Sequence, residues 1–471
     1  MPSDPTSAGN SVPEGMSTAI SLLKQRFGER LVTNEDVRRQ HAHTLTWIEG
    51  EPPDAVVLAG STQEVTEVVG VAARFGVPII PFGAGTSLEG HVNAPRGGIC
   101  LDLSRMDNVL RLNAEDLDCT VEAGLPRGRL NTYLRDTGLF FPVDPGTEEA
   151  TIGGMASTRA SGTTTVRYGT MRENVISLKA VLADGRVIET GGRARKSAAG
   201  YDLTHLLVGS EGTLGIITEV TLRLHGVPEC IVAAVAGFPT LASACDTTMA
   251  AIAMGLGLAR IELLDPLVIG AVNKHAGLTL DPLPTLFLEF HGTPAAAREQ
   301  VATFEEIARS EGATSFSSAV DEAERKRLWK ARHDALWTVR EAWPGRTVLV
   351  TDVCVPVSRL AECIAETEID IAASGLTAPI VGHVGDGNFH ALALHRPGDA
   401  EELAKVLAFA ERLATRAIAM EGTCTGEHGI GQGKKRLLQI ERGEAVSTMA
   451  SIKSALDPMG ILNPGKIFDR P

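Results

Sequence analysis

The sequence predicts an α+β fold, and three patterns along the chain predict it. Ser61 to Gly90 reads as a helix, a short strand and a glycine-rich loop. Ile99 to Leu224 is a series of short apolar strands cut by Gly, Asp and Asn turns. Cys230 to Met420 alternates strands with helices in two strand-helix-strand halves, which suggests an antiparallel sheet covered on one side by helices.

The elements follow in order. Ser61-Thr62-Gln63-Glu64 is a capping box that opens a helix; Val65, Val68, Val69 and Ala72 recur at helical spacing and Gly76 stops it. Val77 to Ile80 is a short buried strand, and the turn after it runs from Pro81 to Gly90. The next unit has strands at Ile99–Leu103, Cys119–Glu122, Val175–Ala183, Val187–Glu189 and Leu214–Leu224. Further strands fall near Ile231–Phe238, Ala259–Leu264, Thr285–His291, Val348–Val355, Ile380–His383 and Phe389–Leu394. Asp399 to Met420 is the clearest helix, capped by Asp399, with Leu403, Val406, Leu407, Ala410 and Leu413 on one face. Glu421 to Pro471 is too short to fold alone and should dock on another unit. No internal repeat or low-complexity tract is seen.

Composition narrows the function classes. The 471 residues are 44% hydrophobic and 22% charged, ordinary for a globular protein with an ample core. A net charge of −14 argues against nucleic acid and against electrostatic docking on anionic lipid. The Ser-, Pro- and Gly-rich start, Met1 to Gly15, has no apolar core of a signal peptide and reads as a disordered tail. The longest charge-free apolar run, Cys230 to Cys245, contains Pro239 and is too short to span a bilayer. The seven cysteines, none in a Cys-x-x-Cys pair, read as reduced thiols. A cytoplasmic protein, at most peripheral to a membrane, is the expectation.

The chemistry sits in two stretches. Gly382-His383-Val384-Gly385-Asp386-Gly387-Asn388-Phe389-His390 puts two histidines on either side of hairpin-turn residues, which can return both rings to one place. Gly426-Glu427-His428-Gly429 adds a carboxylate and a third ring. His383, His390 and Glu427 suffice to ligate a catalytic divalent metal with an open position, and His428 is left beside it as a base. Zinc and manganese both fit such N,N,O ligation. The bland reading of any one of these histidines is a satisfied core or surface residue.

Upstream lie three small-residue tracts. Gly83-Ala84-Gly85 lacks the third glycine of a dinucleotide fingerprint, since position 88 is leucine; it reads either as an ordinary turn or as backbone N–H groups gathered round an anion. Thr151 to Ser157 with Ala160 to Thr163, and Gly209 to Ile217, are the other two. Together they suit a large polyphosphate cofactor lying across a cleft. Gly429 to Lys435 imitates a phosphate loop but has His428 where glycine is needed and Lys435 where Ser or Thr would stand.

These motifs together carry a resemblance that covers the chain from about Leu31 to Phe468. Pro81 to His91, Pro142-Val143-Asp144-Pro145-Gly146, Thr151 to Gly169, and Ser197 to Leu203 leading into Gly209 to Thr218 resemble the FAD-binding half of vanillyl-alcohol-oxidase-type (PCMH-type) flavoproteins. His383 to His390, Gly426 to Gly431 and Leu462-Asn463-Pro464-Gly465-Lys466 resemble the family that joins FAD-linked D-lactate dehydrogenases with the flavin-bearing chain of glycolate oxidase. The likeness is to its mitochondrial-type branch through Thr351 to Pro356 and Gly422 to His428.

The resemblance implies a two-subdomain FAD-binding domain (18–228), a ferredoxin-like cap domain (229–420) and a helical C-terminal segment (421–471) that returns to the FAD domain and completes the active site; residues 1–17 are the tail. It implies non-covalent FAD on Pro81, Gly83, Ala84, Gly85, Thr86, Ser87 and Gly90. Pro142, Asp144, Gly146, Thr151, Gly153, Gly154, Ala160, Ser161, Gly162, Tyr168 and Gly169 are implied too, as are Glu211, Gly212, Gly215, Ile216, Ile217 and Asn463. Some relatives bond a histidine to the flavin; His91 reads here as a plain loop residue. The resemblance also makes His383, His390 and Glu427 the metal ligands.

The implied reaction is oxidation of a D-2-hydroxy acid, D-lactate to pyruvate, by hydride transfer from C2 to flavin N5. The metal would chelate the substrate, and His428 would act as base. Arg332 stands where the family has its carboxylate-binding arginine, although Arg325, Lys326, Arg327 and Lys330 around it allow the plainer reading of a solvated helix. Leu336, Val350 and Leu392 would line the substrate pocket; Val350 and Leu392 stand where dicarboxylate-oxidising relatives carry polar residues, which favours an aliphatic substrate. The rivals are a D-2-hydroxyglutarate or glycolate dehydrogenase of the same family, a flavin-free metal-dependent hydrolase, and a non-catalytic binding subunit. No haem, iron–sulfur or membrane-span signal names the electron acceptor, so a cytochrome, a quinone or an electron-transfer flavoprotein is implied. A homodimer stays open.

Overall fold

The computed structural model describes residues 14–469. Most of the expected tail lies outside them, but residues 14–17 already belong to the helix Glu14–Phe27. The first layer is a four-stranded sheet. Ala55–Leu58, Ile99–Asp102 and Ile79–Phe82 run parallel in that order, and Leu31–Val32 pairs antiparallel at one edge. The helix Thr62–Phe75 crosses between two of these strands. Ser61 Oγ accepts the Glu64 N–H at its start, and Gly76, left-handed, ends it. Such parallel strands are buried on both faces, which is why they are short apolar runs without alternation.

A five-stranded sheet of Val109–Asn113, Asp118–Glu122, Ile216–Arg223, Val175–Val181 and Val187–Glu189 follows, antiparallel throughout. One apolar core joins it to the first layer, and that core includes Ile461 and Leu462 from the far end of the chain. Leu462 bridges Ile79, with Ile461 O accepting from Ile79 N and Ile79 O accepting from Asn463 N, both at 2.8 Å. Buried Lys453 fastens the same segment by donating to Thr213 O and Leu462 O.

The second unit is an eight-stranded antiparallel sheet built mainly on Cys230–Gly237, Thr285–Gly292, Leu258–Leu264, Ile380–His383 and Asn388–His395. The expectation that helices cover one side only is corrected. Leu241–Ala253, Pro294–Ser310, Leu360–Ser374 and Ala400–Ala419 pack on one face, through Ile261, Leu263, Phe389 and Ala391. Pro266–Ala276, Glu322–His333 and Ala335–Ala342 pack on the other, through Leu264, Val381, Leu392 and Leu394. Strand periodicity explains the rest: side chains alternate faces, so Glu262, His383 and His390 share the second face with Leu264, Val381 and Leu392. That face is only partly covered by helices, and its open part is where the chemistry lies.

Candidate active site

The two histidines meet because of register. Val381 pairs with His390 and His383 with Asn388, so the two rings stand on neighbouring strands with centroids 5.5 Å apart. The connection closes through Gly387 at φ +78°, where a Cβ would lie 2.0 Å from Val355 O. Only glycine fits there. The expected single strand Val348–Val355 is broken into Thr347–Val350 and Val353–Cys354. The break frees Thr351 O, which accepts from His390 Nδ1 at 2.8 Å, and turns Asp352 inward.

Glu427 arrives on the C-terminal segment. Its Oε2 accepts from Ser161 Oγ at 2.8 Å, which leaves Oε1 at 3.5 Å from His383 Nε2 and 3.4 Å from His390 Nε2. The ligand atoms of these three residues all lie within 4.8 Å of one another. Two ligands each ~2.1 Å from a tetrahedral ion stand ~3.4 Å apart, so the spacing suits a shared ion better than a direct hydrogen bond. Both rings are also held from behind, His383 Nδ1 by Glu262 Oε1 at 2.8 Å and His390 Nδ1 by Thr351 O, as metal-binding imidazoles require.

Charge points the same way. Glu262, Asp352 and Glu427 are buried or nearly so, and Arg332 and Lys434 are the permanent cations beside them. Burial opposes charge on His383, but Glu262 and Glu427 outweigh it and raise the ring well above its ordinary value. Two carboxylates crowding one imidazole mark a place where positive charge belongs. Burial would also raise Asp352, yet the neighbouring His428 ring and the Lys434 ammonium hold it far below the usual carboxylate range.

His428 lies outside the ligand trio, stacked on His390 at 5.2 Å. Its N–H, with those of Glu427 and the Thr425 hydroxyl, donates to Asp352 Oδ2. Burial pushes the ring down to about 4, so it carries a free lone pair near neutral pH, and its buried Nδ1 has no hydrogen-bond partner. Arg332 is 8% exposed, unlike the solvated helix face around Lys326 and Lys330. Its terminal nitrogen donates to Glu262 Oε2 at 2.5 Å while Nε stays unpartnered.

A cavity of about 640 Å³ joins these groups to the glycine tracts. Pro81, Gly83, Ala84, Gly85, Thr86 and Ser87 wall it, as do Asp144, Gly146, Thr151, Gly153, Gly154, Ala160, Ser161 and Gly162. So do Glu211, Gly212, Gly215, Ile216, Ile217 and Asn463, and at the far end Arg332, Leu336, Val350, Leu392, His383, His390, Glu427 and His428. Ser87 Oγ is buried there without a partner, as a wall made for a polar ligand would leave it. The acids of this wall are occupied. Asp144 accepts from Thr163, Thr164 and Arg260, and Glu211 from the Ile430 and Gly431 N–H groups. Glycines and hydroxyl residues share the rest of the surface with apolar side chains such as Phe82, Met155 and Ile216, so the polar parts of a large ligand would be held mainly by backbone and hydroxyl groups.

Four expected cofactor residues are not on this wall. Gly90 packs against Gln432, where a Cβ would lie 2.5 Å from its side-chain oxygen. Pro142 gives its carbonyl to Thr164 Oγ1. Tyr168 bonds His291 Nδ1 at 2.7 Å across to the second unit, and Gly169 ends the turn before Thr170. They shape the loops and do not face the cavity. His91 Nε2 lies 3.1 Å from Glu211 Oε2. Sequence reasoning missed Glu262, an acid inside an apolar strand with no motif of its own, and used Asp352 only as part of a motif.

Comparison with known proteins agrees with the geometry. The profile described as FAD linked oxidases, C-terminal domain, matches residues 227–467, and that described as FAD binding domain matches 53–191. The chain belongs to the FAD-linked oxidases. Within them it is 52% identical over 455 residues to a probable mitochondrial D-lactate dehydrogenase of Danio rerio, covering 96% of this chain and 91% of that one. It is 46% identical to the mitochondrial D-lactate dehydrogenase [cytochrome] of Arabidopsis thaliana, covering 95% and 80%. Among solved structures, p-cresol methylhydroxylase superposes with a TM-score of 0.82 at 17% identity, covering 97% of this chain and 98% of that one. That likeness shows the PCMH-type fold. The family's FAD therefore belongs to this chain, and the glycine-walled cavity fits it; the flavin-free reading is set aside.

Proposed function

We propose that this protein is an FAD-dependent D-lactate dehydrogenase in which a divalent metal on His383, His390 and Glu427 assists the reaction. The observation that carries the reading is convergence: one cavity is lined by the FAD wall, the ligand trio, His428 with its unpartnered Nδ1 and the half-occupied guanidinium of Arg332. When bound, FAD supplies the hydride acceptor and the metal a Lewis acid for the substrate hydroxyl. Arg332 holds the substrate carboxylate with the donors that Glu262 leaves free. His428 takes the hydroxyl proton, with its backbone fixed by Asp352.

Leu336, Val350 and Leu392 make that end apolar, which suits a methyl group and leaves a second carboxylate without a partner. FAD is read as held non-covalently, with His91, which lines the cavity, at 3.1 Å from Glu211 Oε2. The electrons leave to an external acceptor, a cytochrome by analogy with the Arabidopsis relative. No helix of the described residues is long and apolar enough to cross a membrane.

Anaerobic titration of the holoenzyme with D- and L-2-hydroxy acids tests this. D-lactate should bleach the flavin faster than D-2-hydroxyglutarate, a chelator should slow bleaching, and zinc or manganese should restore it. Preference for the diacid would overturn the apolar-pocket argument, and indifference to chelation would overturn the metal.

A further inference from the structure

We infer that Glu262 is a positioning residue that sets the metal ligand His383 and the substrate-binding Arg332 at once, a claim that rests on the proposed metal site. Glu262 is fully buried on the strand Leu258–Leu264. It spends one oxygen on each partner: Oε1 lies 2.8 Å from His383 Nδ1 and Oε2 lies 2.5 Å from an Arg332 terminal nitrogen. The partners come from different elements, the strand Ile380–His383 and the helix Glu322–His333. Among the described residues, no other hydrogen-bonding side chain ties this metal ligand to the substrate anchor.

The chemistry of each bond is specific. A carboxylate can only accept, so His383 must carry its proton on Nδ1 and leave the Nε2 lone pair toward Glu427. The same carboxylate occupies one edge of the Arg332 guanidinium and fixes the plane in which the remaining donors are presented. Both demands are for acceptors. A glutamine of the same shape cannot meet both. With its NH2 toward His383 it forces the proton onto Nε2 and blocks ligation. With its NH2 toward Arg332 it sets donor against donor.

Glu262→Gln and Glu262→Asp test this in the FAD-loaded protein. Metal affinity is read by titrating the chelated protein with zinc or manganese alone, and KM and kcat with D-lactate. The expected result for Glu262→Gln is ~10–100-fold weaker metal binding or a raised KM at saturating metal, according to which partner its NH2 faces, while FAD content and the flavin spectrum stay those of the wild type. Glu262→Asp, which keeps two acceptors on a shorter arm, should recover part of what is lost. Metal affinity and KM both unchanged in Glu262→Gln would overturn the proposal. Loss of FAD or of the folded state in both variants would overturn it too, because Glu262 would then be a residue of general stability. A wild-type protein that binds neither metal overturns the metal site itself, a failure visible before any variant is made.

Discussion

The cavity has two walls of opposite construction. The wall from residues 81 to 217 is rich in glycines and hydroxyls with apolar side chains between them, and its acids are consumed inside the protein: Asp144 by Thr163, Thr164 and Arg260, Glu211 by the Ile430 and Gly431 amides. The wall formed by Arg332, His383, His390, Glu427 and His428 is made of titratable side chains, and atoms are left over on it, His428 Nδ1 and Arg332 Nε among them. The first wall leaves the Ser87 hydroxyl for a polar ligand, has its acids satisfied and mainly provides room. The other is incomplete and provides partners. Substitutions on the first should therefore act through space and cofactor retention, and on the second through rate at constant cofactor.

The largest effect should come from the incomplete wall. His428→Ala removes the proposed base from the cavity wall, and removal of a general base costs ~10²–10⁴-fold. Stopped-flow reduction of the flavin by D-lactate should slow by about that factor, with FAD stoichiometry unchanged. A wild-type reduction rate would assign the proton to another group and erase the distinction between the walls at this residue.

A smaller effect of the opposite kind is expected from Gly153→Val. The Gly153 N–H donates to Ala123 O at 2.7 Å, and a Cβ there would stand 2.5 Å from Ala123 Cβ. Overfilling such a contact costs ~1–3 kcal/mol. The variant should purify with less FAD and a lower melting temperature, whereas KM for D-lactate in its flavin-loaded fraction should match the wild type. A changed KM with full FAD would mean that this wall also takes part in substrate recognition.

The same contrast explains what could be read from the chain. Glycine tracts and the His383/His390 spacing are local signals: a small residue announces close approach, and turn residues between two histidines announce a hairpin. Partner choice is not local. Nothing near Glu262 in sequence says that its carboxylate will meet residues 332 and 383, and nothing near Asp352 says that it will gather the amides of residues 427 and 428. The second layer of helices on the cap sheet was hidden for a related reason. Strands such as Cys230–Gly237 are apolar on both faces, so alternation does not tell which face is covered. Gly90, Pro142, Tyr168 and Gly169 sit inside motifs that do reach the cavity, and a motif does not say which of its members turn away from it.

A site remote from both walls gives the smallest expected effect and serves as their control. Arg30 meets Glu64 through two bonds of 2.6 Å, and Glu64 also accepts from Gly60 N–H. The Arg30 hydrogen bond, helped by the Gly60 amide against the opposing cost of burial, holds the Glu64 carboxyl down at about 2, from an ordinary value of 4.5. A carboxyl whose value is depressed on folding stabilises the folded state above its unfolded value and loses that contribution as pH falls through the folded one. The pair's contribution is therefore whole at neutral pH, declines from pH 4.5 down to about 2 and is absent below. Glu64→Gln should cost ~1 kcal/mol of stability at pH 7, and the gap between variant and wild type should close as the pH of a urea titration is lowered toward 3. Flavin content and reduction rate should not move. If they do, the first parallel layer transmits strain to the cofactor wall, and that wall is less self-contained than its internal hydrogen bonds make it.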